Sequence, residues 1–281
     1  MSQKSLLLII FGIFLMIVSL IYLFFNPPQF IEKFLFQIKH PVKLVKISSP
    51  QVLSTSSGKI VYPANYTIVL LGDSMTETLG NADELISYLS QSYPNKTFQI
   101  LNYGFGSTNI LSAPDRLTQK TFHGRDFRPI LDINFDLVII ESFGENPLSE
   151  YSRQYGLNIQ SQTLDKMVQT IREKSPNSKI VFMATIAPNS KNFAKNQVDL
   201  SEEQRTKWVD ERKAYMKNHI AYARLHNIPL IDIFDDSLDK DGDGKMIYIR
   251  TDDYIHPSPV GIKFISWEIA DFIYKNQLLQ N

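Results

Sequence analysis

A serine and a histidine that could work together stand near opposite ends of this chain, in the segments Gly72-Asp73-Ser74-Met75 and Asp253-Tyr254-Ile255-His256. A serine hydroxyl is a weak nucleophile until a neighbouring base takes its proton. An imidazole suits that task, because its charge changes near neutral pH and it can return the proton to a leaving alkoxide. An aspartate three residues before the histidine can reach the ring within one turn of chain, where it would fix the tautomer and stabilise the imidazolium. Asp253 has that spacing and Asp252 is its competitor. These are the parts of an acyl-transfer site. The blander alternative for Ser74 is a helix N-cap, a common place for serine after a strand; the presence of His256 favours the nucleophile. Asp73 is expected to brace the turn by accepting backbone hydrogen bonds rather than to touch substrate. His40, His123, His219 and His226 have no such setting, and His219 and His226 fall in one expected helix as surface or packing residues.

Such a serine needs a rigid edge to stand on. The apolar run Thr67–Leu71 reads as a buried strand, so Ser74 falls where a sheet ends and a helix begins, beside backbone N–H groups that no helical turn satisfies. Strand and helix signals then alternate. Ala82 to Tyr93 is helical, with Leu85, Ile86 and Leu89 on one face and Pro94-Asn95 ending it. Phe98–Asn102, Asp136–Glu141, Lys179–Ala184 and Ile228–Ile233 read as strands. Leu164, Met167, Val168 and Ile171 form a helical stripe, Ser201-Glu202-Glu203-Gln204 reads as a capping box opening a helix through Ala223, and Phe264, Trp267, Ile269, Phe272 and Ile273 mark another helix. This alternation implies an α/β fold with a mostly parallel sheet covered on both faces, whose sites gather at the carboxyl ends of the strands.

Four segments occur in order over roughly 190 residues: Gly72-Asp73-Ser74, Asn102-Tyr103-Gly104-Phe105-Gly106, Gly144-Glu145-Asn146 and Asp253-Tyr254-Ile255-His256. On these segments the chain resembles the SGNH (GDSL-type) hydrolases. The resemblance implies a three-layer, flavodoxin-like sandwich over residues 64–281. It implies an esterase in which Ser74, His256 and Asp253 cleave an acyl ester through an acyl-serine, without a cofactor. It also implies an oxyanion hole made of the Ser74 N–H, Gly106 and Asn146. Two departures from the family pattern stand out. The family's oxyanion glycine falls where this chain has Ser107; Gly106 is one residue short and Gly104 is a further candidate. Pro147 replaces an aspartate after Asn146. The implied substrate is a small acyl ester or an acylated glycan or lipid. The same acyl-enzyme could serve an O-acyltransferase, and a non-catalytic glycan-binding envelope protein is the reading from another class.

Composition narrows the partners. Lys+Arg and Asp+Glu are both 29, so no global field argues for nucleic acid. The absence of cysteine excludes disulfides, thiolate metal sites and a cysteine nucleophile. Asp239-Lys240-Asp241-Gly242-Asp243-Gly244 begins like a calcium loop, with Asp239, Asp241 and Asp243 as ligands, but Arg250 stands where a bidentate glutamate is needed, which favours an acidic surface turn. Leu6 to Phe25 is an uncharged apolar stretch long enough to span a bilayer, with no small-residue cleavage site after it. Residues 1–25 therefore read as a transmembrane anchor and 26–63 as a juxtamembrane stalk. Within that stalk, Phe30 to Val45 has the composition of an interfacial helix or of one packed on the domain. Lys33, Lys39, Lys43 and Lys46 follow the span and favour a cytoplasmic domain on the positive-inside count. A short anchor before a hydrolase domain favours export, and the expectation is a cell-membrane protein with an extracytoplasmic domain.

Overall fold

A computed structural model of the chain describes residues 53–54 and 58–279, all within the second of two units, Val45–Asn281. Its centre is a sheet of five strands: β1 (Tyr66–Gly72), β2 (Phe98–Gly104), β3 (Leu137–Glu141), β4 (Lys179–Ala184) and β5 (Leu230–Asp232). The order is β2-β1-β3-β4-β5 and every pairing is parallel. A parallel sheet covered on both faces needs apolar residues at successive positions rather than alternate ones. The sequence meets that need: Thr67 to Gly72 in β1 and all of β3 are buried. Each Leu, Ile or Val sealed there stabilises the fold by about 1.5–3 kcal/mol relative to exposure.

Seven α-helices accompany the sheet among the described residues: α1 (Ser74–Glu77), α2 (Asp83–Ser92), α3 (Ala113–Thr118), α4 (Arg153–Lys174), α5 (Glu202–Leu225), α6 (Ile233–Asp236) and α7 (Pro259–Lys275). α2 packs against α7 and α4 against α5. With right-handed crossovers, this strand order sends the first pair to one face of the sheet and the second to the other. The capping box expected at Ser201 is present: its hydroxyl accepts from the Gln204 N–H at 3.2 Å, and the Gln204 side chain accepts from the Ser201 N–H at 2.8 Å. Ser258 caps α7 by accepting from the Gly261 N–H at 3.0 Å, just before Pro259 at the first turn.

Leu53–Ser54 pairs with Ile60–Val61, Ile60 also bridges Ile133, and the Asn134 N–H donates to the Ile60 carbonyl at 2.8 Å. The end of the segment read as a stalk, residues 60–63, is thus tied to the domain. The anchor over residues 1–25 and the stalk up to residue 52 lie outside the described residues. Among the described residues no helix is long and apolar enough to cross a membrane.

Strand β1 has β2 on one side and β3 on the other, so the chain leaves it toward opposite sides from successive crossovers. That reversal opens a crevice at the carboxyl ends of β1 and β3, the usual ligand site in such sheets. Ser74 follows β1 and Asn146 follows β3.

Candidate active site

The turn that carries Ser74 is set by contacts close in sequence. β1 ends at Gly72, where a Cβ would lie 2.0 Å from Thr76 Oγ1 and 2.8 Å from the Glu141 Cβ, so only glycine lets α1 begin this close to β3. Asp73 caps α1, its Oδ1 accepting from the Met75 N–H at 2.9 Å; this is the bracing role expected of it. Ser74 is the first helical residue and is partly exposed. Its N–H belongs to the first turn, whose donors find no carbonyl within the helix.

Asn146 is drawn to the same turn. Its Nδ2 donates to Asp73 Oδ2 at 3.0 Å. A side-chain amide has two N–H donors, so one remains for a ligand. Of the three backbone candidates, Gly104 is set apart from the other two. The Gly104 N–H is already used, donating to Asn102 Oδ1 at 2.8 Å. A Cβ on Gly104 would lie 2.2 Å from the Glu77 backbone N, so this glycine serves the close passage of β2 beneath α1. Gly106 faces the serine: a Cβ there would be 3.8 Å from the Ser74 Cβ and 2.5 Å from Glu77 Oε2. Ser107 follows with a φ of 58°. Neither the Gly106 nor the Ser107 N–H has a hydrogen-bond partner among the described residues.

The histidine comes from the loop between β5 and α7. Tyr254 takes a φ of 57°, which folds the segment back on itself. Asp253 Oδ1 then accepts from the N–H groups of Ile255 at 2.9 Å and His256 at 3.1 Å, and Oδ2 lies 2.7 Å from His256 Nδ1. Asp253 rather than Asp252 therefore orients the ring; the Asp252 side chain is 71% exposed and faces Arg250. With Nδ1–H donating to the carboxylate, Nε2 is left as the acceptor. The loop is clamped by the segment after β4, where the Ala194 N–H donates to the Tyr254 carbonyl at 3.4 Å and Asn196 Nδ2 to the Thr251 carbonyl at 3.2 Å.

Arg250 is a member of this cluster that sequence reasoning treated only as a missing calcium ligand. Its Nε donates to Asp253 Oδ2 at 2.7 Å, and its Nη2 reaches the same oxygen. Burial alone would raise the Asp253 carboxyl. The hydrogen bonds from Arg250, His256 and two backbone N–H groups outweigh burial and hold it well below the usual carboxylate range. Asp253 is thus a fixed anion beside the imidazole. The available signal was an arginine three residues before the aspartate of a tight turn.

A second set of charges lies beneath the crevice, and no spacing in the sequence points to it. Glu141, the last residue of β3, is fully buried; its Oε2 accepts from the Asp73 N–H at 3.3 Å and its Oε1 from the Ser142 hydroxyl at 2.5 Å. Burial and then the Asp73 carboxylate push Glu141 well above the ordinary glutamate value. Burial raises Asp73 too, while His256 is near enough for its charge to pull in the opposite direction. Arg116 compensates from below: Nη1 donates to the Gly72 carbonyl at 2.6 Å and the Tyr103 carbonyl at 2.9 Å, tying the ends of β1 and β2 together. Glu145 is also buried, and desolvation pushes it up to about 8 although Arg212 Nε lies 3.3 Å away. An ion pair at that distance argues for a charged Glu145. We favour the protonated form at neutral pH, because neither carboxylate oxygen has a hydrogen bond.

The remaining polar candidates lie elsewhere. Asp243 accepts from the Ser190 N–H at 2.8 Å and pairs with Lys213 Nζ at 3.0 Å, while Asp239 Oδ1 accepts from the N–H groups of Asp241 and Asp243. The acidic loop thus turns its carboxylates on its own backbone and on α5, and among the described residues no group of three His, Cys, Asp or Glu is placed to hold a metal. His219 is fully buried on Phe182, its ring centroid 4.4 Å away, and burial lowers it to about 3. His226 stacks on Tyr222 at 4.1 Å.

Comparison with known proteins bears on this arrangement. The family model described as GDSL-like Lipase/Acylhydrolase matches residues 70–263. A search of curated proteins finds no match. Among solved structures, a lipase/acylhydrolase from Enterococcus faecalis is 18% identical, with a TM-score of 0.54 over 75% of this chain and 96% of that one. The acetyl xylan esterase AlAXEase is 16% identical, with a TM-score of 0.51 over 73% of this chain and 98% of that one. A GDSL-like lipase from Bacteroides thetaiotaomicron is 13% identical, with a TM-score of 0.50 over 76% and 89%. At these identities the likeness is one of fold.

Proposed function

Because the chain belongs to the GDSL-like lipase/acylhydrolase family and is a carboxylic ester hydrolase, we propose that it cleaves acyl esters through an acyl-Ser74 intermediate. His256 Nε2 takes the Ser74 proton as the hydroxyl attacks the ester carbonyl, and returns it to the departing alcohol. Asp253 holds the imidazole through Nδ1 and balances its charge while protonated. Water then attacks the acyl-serine with His256 again as base. The observation that carries this reading is the 2.7 Å pairing of His256 Nδ1 with Asp253 Oδ2, which leaves Nε2 available in a loop near enough to Asp73, the neighbour of Ser74, for the two charges to interact. A fluorophosphonate probe tests it: digestion and mass spectrometry should place the phosphonyl group on Ser74. Labelling of another serine, or none with active protein, sinks the assignment.

The oxyanion donors are the N–H groups of Ser74 and Gly106 and the Asn146 amide. Developing charge on the carbonyl oxygen gains most from donors already in place. Asn146→Ala is expected to lower kcat by about a hundred- to thousandfold with little change in KM, because that bond matters in the transition state. Steady-state kinetics on a short nitrophenyl ester checks it; a near-native kcat removes Asn146 from the hole.

The uncharged stretch from Leu6 to Phe25 supports a membrane anchor, and a short anchor before a hydrolase domain favours a domain outside the cytoplasm, acting on acylated glycans or lipids of the envelope. Cells making the full chain should retain it in the membrane fraction, and cells making a chain that starts at Gln29 should not. Full-length protein found processed and soluble refutes the anchor.

A further inference from the structure

One pair of titratable side chains at the crevice has no part in the chemistry above. Glu77 lies three residues after Ser74 on α1, so the two side chains project from the same side of that turn. The position that a Gly106 Cβ would take is 3.8 Å from the Ser74 Cβ and 2.5 Å from Glu77 Oε2, so carboxylate, glycine and serine border one small space. Glu77 Oε1 is 2.9 Å from His123 Nε2. The pair is open to ligand, with side-chain exposures of 46% for Glu77 and 32% for His123.

The imidazole is held in place from behind. His123 stacks on Phe105 with ring centroids 4.6 Å apart and planes at 11°, and Arg116 lies over the Phe105 ring at 4.2 Å. The ribbon that carries it, Thr121–Phe122 paired with Asp126–Phe127, seats Phe127 edge-on to Phe105 at 4.7 Å. A polar side-chain pair this exposed contributes little to stability. Its place beside the nucleophile on a rigid aromatic support is what a binding group needs, because little side-chain freedom is lost on contact.

We propose that Glu77 and His123 form a hydroxyl-binding subsite beside Ser74, which takes the alcohol side of polyhydroxylated esters such as acylated sugars. A carboxylate accepts hydrogen bonds from neighbouring hydroxyl groups, and the ring nitrogen adds a further polar contact. An acyl chain offers no donor and would desolvate both groups without return, so it lies on the other side of Ser74. The subsite rests on the esterase reading and adds to it a preference between alcohols.

The test compares kcat/KM for 6-O-acetylglucose and ethyl acetate, which share the acyl group and the acyl-enzyme. Wild-type protein should favour the sugar ester by at least about tenfold, the scale of a hydrogen bond to a charged group. In Glu77→Gln, Glu77→Ala and His123→Phe the ratio between the two esters should fall, by about tenfold in the first two. Glu77→Gln keeps the side-chain size and supplies the measurement if Glu77→Ala does not fold. An unchanged ratio with both rates lowered in parallel shows a structural pair and overturns the subsite, as does a wild type that does not prefer the sugar ester. Wild-type protein that hydrolyses neither ester overturns the esterase reading itself.

Discussion

Ser74→Ala is expected to abolish ester hydrolysis and to leave the fold intact. Deleting such a nucleophile lowers kcat by about 10⁶-fold in a site of this design, because the base and the oxyanion donors then have no attacking group to serve. The fold should persist because Ser74 is partly exposed and α1 is held by other groups: the Asp73 cap, the Glu77 N–H to the Asp73 carbonyl at 3.0 Å, and Gly72 beneath Thr76. The measurement is kcat on 4-nitrophenyl acetate, with thermal melting of both proteins as the control. A correctly folded variant that keeps more than about one per cent of the wild-type rate cannot have lost its nucleophile.

His256→Ala is expected to be nearly as damaging, since serine without its base is no better than solvent alcohol. Asp253→Asn should be milder than either. An asparagine keeps an acceptor oxygen for the N–H groups of Ile255 and His256, so the turn survives, but the charge that steadies the imidazolium is gone. Asp252→Asn should change little, because its carboxylate is exposed and faces Arg250 rather than His256. Parallel kinetics on the three variants gives a rank order, and finding Asp252→Asn worse than Asp253→Asn would reverse the assignment of the orienting carboxylate.

The parts of this site that were legible in the sequence are those fixed by short-range spacing. Gly72-Asp73-Ser74 encodes its own turn, cap and helix start, and Asp253 reaches His256 within one turn of chain. The strands were legible because burial on both faces writes uninterrupted apolar runs such as Ile68 to Leu71 and Leu137 to Ile140. Where the β5 reading failed, a local competitor won: Asp232 caps α6 by accepting from the Asp235 N–H at 3.2 Å, so Ile233 leaves the strand. Residues whose partners are remote could not be read. Glu141 and Glu145 look like ordinary polar ends to a strand and a loop, since charged residues are exposed by default. Their burial depends on Asp73 and Arg212 arriving from other elements. The choice between Gly104 and Gly106 likewise waited on Asn102, whose side chain claims the Gly104 N–H. For Asp243 the sequence favours an acidic surface turn over a calcium ligand, but it does not show the partner that holds the carboxylate, Lys213, thirty residues earlier on α5.

The packing of α7 against α2 has a consequence for the time at which activity arises. α2 follows the nucleophile turn almost at once, whereas α7 follows His256, so these neighbours in space are made at opposite ends of the domain's synthesis. Until α7 arrives, the side of α2 that packs on it lacks its cover, and contacts this distant in sequence close slowly. A ribosome that has exposed Ser74 has therefore made a serine with no base, and one face of the sheet then has α2 without α7. The emerging polypeptide is chemically silent toward esters and sticky toward other chains, and both conditions end together when α7 docks.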